Sequence, residues 1–101
     1  MFDPNRFPML AERQHTEFVQ DLAQTTMTVN GRPMSRAVWN MVVSKRDIPN
    51  WVERGIKPRR GWRITHCKNY FCLQGSGVRL LRQWERLCKE VDQFLDEMRN
   101  A

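Results

Sequence analysis

No stretch of this sequence approaches the roughly 20 consecutive apolar residues that a membrane-spanning helix needs, so no membrane segment is expected. The opening MFDPNRFPML does not supply the apolar core of a secretory signal either, because Asp3, Pro4 and Pro8 interrupt it. Cysteine is scarce, with three residues, Cys67, Cys72 and Cys88. An odd number excludes a fully paired intramolecular set, and without a signal the expectation is reduced thiols in a cytoplasmic protein. A phosphate-cradling glycine loop is missing too. The GSG at 75–77 has no strand before it and no Lys after it, so it reads as a linker. There is no internal repeat and no low-complexity tract.

Constellations for chemistry are equally thin. His66, Cys67 and Cys72 lie close in sequence, but H-C-x4-C is not a zinc-finger or zinc-ribbon spacing. No metal is expected, and both cysteines read as small buried residues. His15 reads as a surface residue. Paired carboxylates occur only in the last segment, at Asp92, Asp96 and Glu97, where solvent exposure is the default. With no nucleophile–base pair visible, the chain is not read as an enzyme, and no cofactor is implied.

What is present is positive charge, confined to the middle of the chain. The 101 residues carry a net charge of +6, and a composition of 41% apolar and 28% charged residues suits one folded domain. Between Arg32 and Lys68 stand ten Lys/Arg and two acids, Asp47 and Glu53, while the remainder is net negative. A patch of this kind attracts phosphate backbones by Coulomb force and by counterion release. The alternative is a solvated basic face without a partner.

The periodicity predicts a mostly α-helical fold. Residues 1–8 read as an irregular lead-in. Leu10, Phe18, Val19 and Leu22 mark one helix from Met9 to about Ala23. Thr26, Thr28 and Val29 favour extended backbone before the turn pair Asn30-Gly31. Ser35 then caps a helix carrying Ala37, Val38, Met41 and Val42. Ser44 is a second cap, before Ile48, Trp51 and Val52, and Gly55 with Pro58 closes that segment. Two short helices joined by a tight turn make a helix-turn-helix. The following IKPRRGWRI reads as two very short strands around a basic turn, and Thr65 as the cap of a short helix through HCKNYF. From Val78 to Arg99, Leu80, Trp84, Leu87, Val91, Phe94 and Met98 alternate at four and three residues, with Leu81, Cys88 and Leu95 widening the stripe. That face fits either a homodimer seam, the favoured reading, or the domain's own core. The expected division is 9–73 for the helix-turn-helix domain and 74–101 for a linker and dimerisation helix.

The segment VWNMVVSKRDIPNWVERG resembles the helix-turn-helix of small regulators from phages and mobile elements. Ser44 matches the turn serine, and Ile48 and Trp51 match the buried positions of the recognition helix. The continuation WVERGIKPRRGWRI is similar to excisionases and mercury-resistance-type regulators, through Trp51, Gly55, Ile56, Pro58, Arg59, Arg60, Gly61, Trp62 and Arg63. The resemblance covers about 30 residues. Val42 departs from the small residue usual at the turn. Pro49 sits awkwardly for a helix capped at Ser44, so Asp47 is an alternative cap. The implied function is sequence-specific binding of double-stranded DNA by a dimeric transcription regulator. An excisionase-like factor, or an adaptor using the C-terminal helix on another protein, are the alternatives. On the DNA reading Ser44 caps the recognition helix, and Lys45, Arg46, Asn50 and Arg54 face bases and phosphates. Lys57, Arg59, Arg60 and Arg63 hold the flanking backbone. Trp51 and Trp62 read as core residues.

Overall fold

The fold is built around the amphipathic helix that closes the chain. The computed structural model describes residues 2–24 and 27–100. Its elements, in order, are α1 (Pro8–Glu12), α2 (Glu17–Leu22), β1 (Met27–Val29), β2 (Arg32–Met34), α3 (Arg36–Arg54), α4 (Ile64–Phe71) and α5 (Gly77–Arg99). Among the described residues the protein is mostly α-helical, with one small antiparallel hairpin and a long C-terminal helix.

On α5, Leu80, Trp84, Leu87 and Val91 recur at four and three residues and are all buried. They face α1 and α3 of the same chain. One continuous core joins them to Phe7, Leu10, Phe18, Met41, Ile48 and Phe71. The six-residue seam expected for a dimer is thereby corrected: four of its members lie inside the fold. Phe94 is half-buried, edge-on to Phe2 and Phe7 at centroid distances of 5.0 and 6.0 Å, and Met98 alone of the set is exposed. The boundary at residue 74 likewise separates nothing, since both sides contribute to that core. An isolated α5 would leave its apolar stripe in water, and packing on the rest of the chain removes that cost.

The expected first helix is two. Arg13 ends α1, and the Thr16 hydroxyl accepts from the Val19 N–H to start α2. The break turns the Arg13 side chain inward. There Nε donates to the Phe71 carbonyl at 2.9 Å, and the two terminal nitrogens donate to the Met9 and Cys72 carbonyls at 3.0 and 2.7 Å. The buried guanidinium thus satisfies the carbonyls that end α4 and fixes Cys72, which adopts the left-handed conformation (φ 54°). The lead-in is also part of the packing, because Phe7 is buried and Phe2 rests on the core.

Asn30-Gly31 forms the hairpin turn, both residues at positive φ, and pairs Met27 with Met34. Thr28 and Val29 are extended as expected; Thr26 lies outside the described residues.

The largest departure is α3. Ser35 caps it through the Val38 N–H at 3.1 Å, but the helix then runs unbroken for 19 residues to Arg54. No turn separates two helices at Val42–Ser44, so the helix-turn-helix is not formed here. Residues 36–48 contain neither Gly nor Pro to stop a helix. Ala37, Met41, Ser44 and Ile48 make one uninterrupted buried stripe. Pro49 sits inside α3, so the Lys45 carbonyl loses its helical donor, at a cost of about 3 kcal/mol relative to Ala. Burial of Ile48 just before it and packing of Trp51 and Val52 just after it offset that loss. Gly55 (φ 67°) ends the helix in the left-handed conformation, its N–H donating to Trp51 O at 2.9 Å.

Candidate nucleic-acid interface

Beyond Gly55 the chain runs exposed and irregular to Gly61. The two short strands expected around IKPRRGWRI do not form; the hairpin is at 27–34 instead. The segment's buried side chain is Trp62, which lies 5.9 Å from the half-buried Trp51 ring at an angle of 60°. Pro58 removes one backbone donor, and the Trp62 N–H closes a local turn onto the Arg59 carbonyl at 3.2 Å. Arg63 is extended and leads into α4, which begins at Ile64, one residue before the expected cap Thr65.

This geometry displays Arg54, Lys57, Arg59, Arg60 and Arg63 to solvent. Among the described residues none of the five forms an ion pair. Several cations elsewhere are paired within the fold. Arg6 meets Glu97, Arg36 meets Glu17 at 3.7 Å, and Lys45 meets Asp92 at 3.3 Å. The positive charge of the 54–63 segment is therefore uncompensated by the fold.

The residues assigned to a recognition helix divide. Consecutive helical residues point about 100° apart, and Lys45 is turned to α5, where Asp92 holds it. Arg46, the next residue, is exposed, its Nε donating to Asp47 Oδ1 at 2.9 Å. Arg36, Trp39, Val43, Arg46, Asn50 and Arg54 follow one another at three- and four-residue spacing and share a face. Arg46 and Arg54 are exposed there, and Asn50 is half-buried. Ser44 is not a cap at all. It is buried in mid-helix beside the Cys67 thiol. Burial pushes that thiol up, and the Ser44 hydroxyl opposes the shift. Cys72 is exposed, contrary to the expectation of a buried residue, and His66 is exposed beside buried Cys67.

Trp39 escaped the sequence reading. It stands on the same α3 face as Arg46 and keeps 36% of its surface exposed. Its three-residue spacing from Arg36 and seven from Arg46 was the available signal. No protein-family model, curated protein or solved structure matches this chain. Among the described residues no helix is long and apolar enough to cross a membrane.

Proposed function

We propose that this protein binds double-stranded DNA, with the 54–63 segment on the phosphate backbone and the Arg46–Asn50–Arg54 face of α3 towards the groove. The observation that carries the reading is the set of five exposed, unpaired cations on a segment anchored by Trp62. Charges without internal partners retain their full attraction for phosphates, and the anchoring limits the entropy lost when they dock. An α-helix fits the major groove, and α3, about 28 Å long, carries Arg and Asn side chains suited to guanine and adenine edges. The biological role that suits a small chain of this kind is regulation of transcription. With the α5 stripe buried, the proposal is for one chain on its duplex and requires no helical seam between copies.

The test is the salt dependence of duplex binding. Five phosphate contacts give a slope of log K against log salt of about −4.5. Replacing Lys57, Arg59, Arg60 and Arg63 together by Gln should flatten it by about 3 to 4 units. A slope near zero for the unaltered protein overturns the proposal. Selection from random duplexes then distinguishes a sequence reader, which enriches a site, from a factor that holds backbone alone.

A further inference from the structure

Between α3 and α4 lies a cleft of about 340 Å³, roofed in part by the basic segment. Trp39 and Tyr70 contribute aromatic surface, Ser44 and Asp47 line it from α3, Arg59 contributes a cationic group and His66 an imidazole. Asp47 is the anomaly. It sits in mid-helix with its side chain 3% exposed, where an apolar residue would pack without the cost of desolvating a carboxylate. Arg46 satisfies Oδ1 from outside, its own side chain 69% exposed. No donor among the described residues reaches Oδ2, yet no buried polar atom is left without a partner. Asp47 is one of the residues that line this cleft.

We propose, resting on the DNA-binding reading above, that this cleft takes one unpaired guanine, its hydrogen-bonding edge on Asp47 and its phosphate at Arg59 and His66. Guanine presents a ring N–H beside an exocyclic amino group, two adjacent donors for a carboxylate. Adenine and cytosine place a ring acceptor next to the amino group, and thymine or uracil flanks its single N–H with two carbonyls. Those edges meet the carboxylate with repulsion. The volume lies at the small end of the range for ligand sites, which suits one base and not a larger molecule. Trp39, exposed at the cleft, supplies a face for stacking, as in proteins that hold a base out of its duplex. A carboxylate among aromatic rings would also suit a guanidinium or amine. Arg59 and the unpaired cations nearby repel such a ligand and attract a phosphate-bearing one.

The full chain is titrated with the 5′-monophosphates of guanosine, adenosine, cytidine and uridine and with arginine amide, following tryptophan fluorescence. Guanosine monophosphate is expected to bind at least fivefold more tightly than the other probes. Asp47→Asn should erase that preference, with circular dichroism confirming the fold. Trp39→Ala, at an exposed position, should weaken all four nucleotides by similar factors. On DNA, a duplex with one bulged guanine should bind several-fold more tightly than its fully paired counterpart, and Asp47→Asn should remove the difference while leaving the salt slope intact. Equal binding of the four nucleotides, tighter binding of arginine amide, or a preference that survives in Asp47→Asn overturns the cleft assignment. A flat salt slope on the paired duplex overturns the DNA-binding reading instead, and it does so whatever the nucleotide titration shows.

Discussion

Glu90 on α5 accepts hydrogen bonds from the backbone N–H of Met9, 81 residues earlier in the chain, at 3.0 and 3.2 Å through its two oxygens. Glu90 also receives the Leu10 N–H at 3.2 Å. The first turn of α1 has no cap of its own, because Phe7 offers no side-chain acceptor. A carboxylate there satisfies otherwise orphaned donors and meets the positive end of the helix. The same contact binds the two ends of the chain to each other.

Glu90→Gln keeps an acceptor but loses the charge, and Glu90→Ala loses both. Urea unfolding should show Glu90→Ala destabilised by about 1 to 2 kcal/mol, the loss typical of an N-cap, with Glu90→Gln between it and the native protein. Equal stability of all three would mean that water caps α1 as well as Glu90 does.

Cutting the chain after Gly75 should unfold it. The cut removes Leu80, Trp84, Leu87 and Val91, each worth about 1.5 to 3 kcal/mol of burial, from a domain whose whole stability is of order 5 to 15 kcal/mol. Circular dichroism of the truncated chain should show a largely unfolded protein. Melting of the intact chain should not depend on protein concentration, since its core is closed within one copy. A folded truncated chain would restore α5 as an independent seam.

The thiols should divide two to one. Cys67 and Cys88 are buried, and burial pushes both up, Cys88 to about 12. Since the thiolate is the reactive form, a disulfide reagent at pH 7.5 should label one thiol quickly in the folded protein and three after denaturation. Cys72→Ser should abolish the fast phase.

Alkali should weaken the fold through Tyr70. Its hydroxyl donates to Asp21 Oδ2 at 2.7 Å. Burial first, and then that bond, raise it above its ordinary value of 10.0. A group raised on folding contributes stability that is present below the unfolded value and is lost as pH climbs above it. The melting temperature should therefore fall from about pH 10 upward. Tyr70→Phe should start lower at neutral pH, by about 1 kcal/mol for the lost bond, and show a shallower alkaline fall.

The positions at which local chemistry dominates were legible from residues alone. Ser35 caps a helix because its hydroxyl is short enough to reach the N–H three residues on. Asn30-Gly31 turns because both residues tolerate positive φ, and Gly55 stops α3 for the same reason. The stripe from Leu80 to Val91 is buried because its period matches an α-helix. The cluster of cations from Arg54 to Arg63 is a matter of composition, and their exposure followed from it. Tertiary structure decided the rest. The α5 stripe could not disclose what it packs against, since an apolar face gains similar burial from its own domain or from a second copy. The turn imagined at Ser44 rested on a local capping preference worth about 1 kcal/mol, and a continuous buried face on α3 outweighed it. Whether Lys45 faces solvent or Asp92, Glu90 water or the start of α1, and Asp47 a cap position or a cleft depends on elements tens of residues away. Those contacts exist only once the chain has closed, because the partners are brought together by the core and not by their spacing.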